Sequence, residues 1–459
     1  MTLLARLDRL PLSRPHYGLL LIGGLGYTFD GMDSATVAFL LPSAKQVWHL
    51  DNGQLGLIGS ATPFGFLFGA IIAGLLGDRI GRKKVMMYAL AFYAFFSVIA
   101  AFSPSYEVFL GARVLAGAES AIIAPFLSEF VPAKRRGWFV GALAGFFSFG
   151  FVIAALMGRF IVPTVDNGWR IVQLITALPI VMLLWWRRSL PESPRFLLQH
   201  GRHDEAEAVV SDLERRVEKA TGQPLPPVPE ATAQPVTETP KVNLLSALKF
   251  LWSPAMAKRT AVIWLVWFVI TFSYYGFFSW IPTLLVERGI TVTKSFEFSI
   301  IIYLAQIPGY FSAAWLSEQL DRKNTIAIYL TGAAISAFWL SQMDDPIAIT
   351  VAGAVLSFFL NGTYAGVYSY TPEVFPTWIR ATGTGLSSAF GRIGSILAPT
   401  IIGLSAAGLG FAGVFGMTTA VLVVGVVCVV AFGLSTAGRS LEDLTEQGKP
   451  ADTAKEMVK

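Results

Sequence analysis

Charge is scarce in this chain. Only 14% of its 459 residues are Asp, Glu, Lys or Arg, against about 25% in an ordinary soluble domain. Cysteine is nearly absent. Cys428 is the single one, which excludes an intramolecular disulfide and a cysteine-built zinc site. There are four histidines, and none falls in the middle of an apolar block: His16 and His49 lie near block ends, His200 and His203 in a polar stretch. A buried histidine relay for protons is therefore unlike this sequence. The Gly-x-x-x-x-Gly-Lys-Ser/Thr order of a phosphate-binding loop is missing from Gly77–Gly81, which argues against ATP drive. With no metal cluster, nucleophile motif or cofactor loop, neither cofactor, metal nor enzyme activity is expected.

What is present is apolar. Hydrophobic residues make up 54% of the chain and recur in blocks long enough to cross a bilayer core, which takes about 20 residues as helix. Stretches such as Val421–Phe432 do not alternate apolar with polar, so the strands of a barrel are excluded and helices remain. The net charge of +5 does not point to nucleic acid, because the basic residues sit beside the apolar blocks. The first block contains Asp30 and Asp33 and has no clear cleavage site, so it reads as a retained helix.

Twelve helices about 20 residues long are expected. Six lie near residues 17–41, 54–76, 84–102, 106–128, 137–160 and 168–186, and six near 259–285, 299–318, 324–341, 346–370, 384–407 and 411–434. This predicts an all-α membrane protein with an N-terminal six-helix bundle over 1–186, a cytoplasmic linker over 187–258, a C-terminal bundle over 259–438 and a cytoplasmic tail over 439–459. Lys and Arg collect on alternate connections, at Arg79, Arg82–Lys84, Lys134–Arg136, Arg187–Arg188, Arg322–Lys323, Arg380 and Arg439, with Lys45, Arg288 and Lys294 the main exceptions on the opposite side. The positive-inside rule then puts both termini in the cytoplasm. Within the linker, Arg202–Lys219 has an amphipathic helical pattern, and the proline-rich Gln223–Glu230 reads as a flexible connection.

The two halves repeat. Glu129-x-x-Pro132-x-x-x-Arg136 recurs as Glu373-x-x-Pro376-x-x-x-Arg380, 244 positions on (373 − 129). Gly77-Asp78-Arg79-Ile80-Gly81-Arg82-Lys83-Lys84 has a degenerate counterpart at Ser317–Asn324, 240 positions on (317 − 77), which keeps an acid and the Arg-Lys pair and loses both glycines. Matched loops at nearly equal offsets imply two pseudo-symmetric bundles with a central site.

These motifs resemble the major facilitator superfamily over nearly the whole chain. Pro191-Glu-Ser-Pro-Arg195, Pro372-Glu-Val-Phe-Pro376 and Gly438-Arg-Ser-Leu-Glu442 are similar to its sugar-porter and organic-ion branch. Asp30-Gly-Met-Asp33 resembles a motif of aromatic acid:proton symporters, and Tyr274-Tyr-Gly276 with Trp280 and Pro282 resembles the niacin-transporter-like group. Arg392, in Gly391–Pro399, matches a position where organic anion transporters carry arginine. Helix four departs from the family, reading Gly117-Ala-Glu119 where Gly-Gly-Glu is common. The resemblance implies a secondary transporter, driven by an ion gradient, for an anionic substrate.

Charges deep in a bilayer cost about 2.5–3.5 kcal/mol each on insertion scales, so those present must be paired, line water or work. Asp30, Asp33 and Glu119 are the candidates for carrying a proton. Arg113 offers a partner for an acid of the first helix. A guanidinium binds a carboxylate through two parallel hydrogen bonds, so Arg392 is the candidate for an anionic substrate group. Tyr274 and Phe278 share a face of helix seven, and Asn361, Tyr364 and Tyr368 follow a 3-4 spacing in helix ten. Together they suit a planar ring with hydrogen-bonding groups. Asp78, Arg82, Glu129, Arg136, Glu373 and Arg380 are expected to form a cytoplasmic gate.

The expected function is proton-coupled import of a small aromatic carboxylate, nicotinate first, by a monomer in a bacterial inner membrane. The expected partners are the organic anion, protons and lipid. A benzoate-type acid is the near alternative, an organic cation or sugar the farther one. A non-transporting sensor would need a large output domain, and the linker has no obvious core.

Overall fold

The computed structural model describes residues 3–118, 123–132, 135–228, 244–376 and 379–435, apart from the side chains of Leu4, Asp78, Pro125 and Ala381. Among the described residues there are helices and no strands. Glu119 and the tail from Arg439 lie outside them, as does the linker over 229–243.

The chain divides into two compact units, Met1–Ser43 with Ala61–Gln234, and Ala44–Ser60 with Pro235–Lys459. In chain order the helices are α1 (Leu3–Asp8), α2 (Arg14–Trp48), α3 (Asn52–Ile80), α4 (Arg82–Ala101), α5 (Tyr106–Ala116), α6 (Ile123–Ser128), α7 (Arg136–Ile161), α8 (Gly168–Ile175), α9 (Met182–Ser189), α10 (Pro194–Gln199) and α11 (His203–Thr221). They continue with α12 (Leu244–Leu251), α13 (Ala257–Glu287), α14 (Val292–Leu304), α15 (Gln306–Gln319), α16 (Arg322–Ser341), α17 (Pro346–Val374) and α18 (Arg380–Phe432).

Nine stretches among the described residues are long and apolar enough to cross a membrane. The last of them, Thr382–Phe432, holds two spans. Gly391 lies against Trp267 of α13 and Gly425 against Val269, so two points 34 residues apart (425 − 391) meet the same level of one neighbour. A straight helix would separate them by roughly 50 Å. The reversal is at Gly410, whose φ of 62° and ψ of −171° interrupt the helix. That backbone region is essentially reserved for glycine. With α2, and with α5 and α6 counted as one, the described residues hold twelve spans, the number that the sequence predicts.

The expected seventh to tenth spans are α13, α14 with α15, α16 and α17. α14 and α15 are one span broken at Ala305. Pro308 explains the break, because it has no N–H to offer the Leu304 carbonyl and its ring crowds that residue. Helix starts carry side-chain caps where the sequence provides them: Ser105, Thr291, Asp321 and Asp345 each accept a hydrogen bond from a backbone N–H of the first turn.

Large apolar side chains point outward. Leu75, Phe95 and Leu404 are 63%, 60% and 67% exposed, far beyond what a water-soluble surface carries as continuous patches, and they face lipid. Inside, small residues bring helices close. A Cβ on Gly31 would stand 2.2 Å from the Phe147 carbonyl oxygen, and one on Gly150 would stand 2.1 Å from that of Thr28, so α2 and α7 touch backbone to backbone.

Outside the membrane, α11 matches the amphipathic helix expected near Arg202–Lys219. It buries Val210, Leu213 and Val217 and holds α1, a helix the sequence reading did not anticipate. Arg6 donates to Glu207 and Glu214, and Arg9 Nη2 donates to Glu214 at 2.7 Å.

Candidate functional site

In the second unit, α13 and α17 bring the expected aromatic residues together. The Tyr274 ring meets Phe278 at 4.5 Å between centroids and Tyr364 edge-on at 5.1 Å. Tyr364 in turn stacks with Tyr368 at 6.1 Å, and Trp267 stands edge-on to Tyr368 at 5.2 Å. The cluster is anchored by polar contacts at its margin. Trp267 Nε1 donates to Thr371 Oγ1 at 3.0 Å, and Tyr303, stacked edge-on against Phe278, donates its hydroxyl to the Phe278 carbonyl at 2.8 Å.

Arg392 joins this cluster from α18. Gly391 and Gly394 flank it, and a Cβ on Gly394 would lie 2.6 Å from the Phe268 carbonyl, so the two glycines let α18 lie close against α13. The half-buried guanidinium is within electrostatic reach of the Tyr364 and Tyr368 hydroxyls. A positive charge within reach of a set of aromatic rings suits a planar anion.

Asn361 makes a contact to the backbone of another span. Its Nδ2 donates to the backbone carbonyl of Gln306 at 2.8 Å, so it holds the broken span in place. The Gln306 side chain, which the sequence reading did not single out, accepts from the Tyr274 hydroxyl through Oε1 at 2.8 Å. The only signal in the sequence was an amide in an apolar span two residues before Pro308.

In the first unit, Asp33 and Arg113 form a buried ion pair, Arg113 Nη1 to Asp33 Oδ1 at 2.7 Å. Arg113 is wholly buried, and its Nη2 donates to Thr62 Oγ1 at 2.7 Å. Gln173 Oε1 lies 3.4 Å from Nη1. Four helices, α2, α3, α5 and α8, thus converge on one guanidinium. Asp30, one turn before Asp33, is half-buried.

The matched loops also match in their contacts. Arg82 pairs with Glu129 in the first unit, and Arg322 Nη1 with Glu373 at 2.7 Å in the second. The arginines are 240 positions apart (322 − 82) and the glutamates 244 (373 − 129). Glu129 also accepts from Ser193 of the Pro191–Arg195 motif. Arg136 donates Nε to the carbonyls of Ser128 and Val131 and reaches Asp8 at 3.4 Å, so it holds the loop rather than pairing with Glu129. Arg380 begins α18 and is half-buried. The side chain of Asp78 lies outside the described set.

Residues 22–447 match the family described as "Sugar (and other) transporter". The chain is similar to the niacin transporter of Acinetobacter baylyi, 39% identical over 406 residues that cover 88% of this chain and 90% of that one. It is similar also to a putative niacin/nicotinamide transporter of Bacillus subtilis, 35% identical over 85% of this chain and 88% of that one. Among solved structures, the xylose transporter of Escherichia coli in a partially occluded inward-open conformation aligns with a TM-score of 0.74 at 17% identity, covering 93% of this chain and all of that one.

Proposed function

The chain belongs to the sugar (and other) transporter family, a family of membrane transporters rather than enzymes, and from that premise we propose that it imports a small aromatic carboxylate, nicotinate first, coupled to protons. What supports the substrate class is the α13–α17 aromatic cluster, with the Arg392 charge of α18 within electrostatic reach of Tyr364 and Tyr368. The guanidinium holds the carboxylate and the rings hold the plane of the substrate. The names of the two similar bacterial proteins support nicotinate within that class.

Asp33 is the proton site in this reading. A proton on its carboxyl removes the charge that Arg113 balances and frees that guanidinium to find other acceptors. Asp30 and Glu119 remain the alternative carriers. The Arg82–Glu129 and Arg322–Glu373 pairs latch the cytoplasmic loops, and their release lets the bundles rock in alternating access. The protein works as a monomer in a bacterial inner membrane with both termini in the cytoplasm.

Uptake of labelled nicotinate into proteoliposomes, with and without an inward proton gradient, tests this. Arg392→Ala removes a charge-assisted contact of about 1.5–3 kcal/mol, roughly a ten- to hundredfold loss of apparent affinity. Wild-type uptake of a cation or sugar but of no aromatic acid would overturn the substrate and leave the transporter.

A further inference from the structure

Gln306 is fully buried, and its side-chain nitrogen has no hydrogen-bond partner. Buried amide donors almost always find an acceptor, and one left without costs stability. Here the residue is held from two sides. Tyr274 donates to Oε1, and Asn361 grips the backbone carbonyl at the break before Pro308. The Tyr274 hydroxyl meets the amide at Oε1, and Nε2 is the end without a partner. Trp264 Nε1 is likewise buried and unpartnered, but that ring stacks on Phe390 and lies outside the tyrosine cluster.

Tyr364 stands between two kinds of donor. The Tyr274 ring that is hydrogen-bonded to Gln306 lies 5.1 Å away, and the Arg392 guanidinium is within electrostatic reach of its hydroxyl. A planar acid among these rings would turn its charged end toward Arg392, and the Tyr274 side of the cluster is where Gln306 stands.

We propose that Gln306 is a specificity-determining residue of the substrate site, its Nε2 donating to the ring nitrogen of a pyridine carboxylate whose carboxylate Arg392 holds. The inference rests on the aromatic-carboxylate reading above. A pyridine nitrogen is unprotonated near neutral pH and accepts one hydrogen bond in the ring plane. Benzoate presents a C–H at the same place and would leave the amide orphaned. Nε2 is closed off from solvent, so a side chain of the cluster has to move before an acceptor reaches it. A site built to hydrogen-bond a substrate atom discriminates strongly against the analogue that lacks it.

The test is competition binding of labelled nicotinate against unlabelled nicotinate and benzoate, on the full-length protein purified in detergent. Wild type is expected to prefer nicotinate by about tenfold or more. Gln306→Met, similar in length and without a donor, is expected to bring the ratio to about one, and its benzoate binding reports that the site is still folded. Equal affinity of wild type for the two acids overturns the inference without recourse to any variant. A preference that survives Gln306→Met overturns it and leaves the aromatic-carboxylate reading standing. Wild type binding neither acid takes down both.

Discussion

Removing one partner of the Asp33–Arg113 pair should be far more damaging than removing both. Arg113 has no exposed surface, and its two terminal nitrogens are committed to Asp33, Thr62 and Gln173. In Asp33→Ala the guanidinium stays buried with only neutral acceptors. Breaking a buried pair in this way costs about 3–5 kcal/mol, whereas replacing the pair by apolar residues of similar volume is often neutral. Asp33→Asn keeps an oxygen for Nη1 at 2.7 Å and loses only the neutralising charge, so it should fall between wild type and Asp33→Ala. Arg113→Met with Asp33→Leu should recover most of what Asp33→Ala loses. Denaturation of the purified variants in detergent gives the order. The same Asp33→Asn variant, fixed in the charge state of a protonated carboxyl, should exchange substrate across proteoliposomes while failing to accumulate it against a gradient. Asp33→Ala as stable as wild type would refute the reasoning, and so would a double variant weaker than either single one.

Other outcomes follow from local geometry. Gly150→Ala forces α7 from α2 at a 2.1 Å contact and should cost about 1–3 kcal/mol, read as a lowered unfolding midpoint. Acid should undock α1: burial pushes the Glu214 carboxyl up, but hydrogen bonds from Arg6 and Arg9 outweigh it and hold it below its ordinary value. Its contribution is therefore complete above the ordinary carboxylate range of about 4 and is lost as pH falls through the depressed value. Hydrogen exchange of residues 3–8 should rise there and stay low at neutral pH. Arg322→Ala removes a partly exposed pair worth about 0–1 kcal/mol, so transport should change while the unfolding midpoint barely moves.

The spans were legible because bilayer thickness fixes both the length and the composition of what crosses it. The loop repeat was legible because Arg82, Glu129, Arg322 and Glu373 are charges, and charges beside lipid stand out. Arg113 and Arg392 were visible for the same reason. Their partners were another matter. Asp33 is 80 positions from Arg113 (113 − 33), and nothing in spacing selects it over Asp30; helix packing does. Gln306 carries no charge and so raised no flag, although it joins Tyr274 to Asn361. The spacing in helix ten marks a polar and aromatic stripe but does not show that Asn361 donates to the Gln306 backbone, because that carbonyl comes from another span. The short α1 was missed because six residues show little periodicity. Its order comes from the carboxylates of α11.

The reversal at Gly410 has a consequence for biogenesis. Most neighbouring spans are joined by a loop in which charges can decide, during synthesis, which side of the bilayer each end keeps. Between the last two there is a single non-helical residue in 53. Neither partner has slack to be placed by itself, so the pair should enter the membrane as one hairpin, with the final span taking its orientation from its predecessor. A charged residue introduced after Phe432 would have little say in topology, whereas any side chain at Gly410 would strain the turn on which both depend.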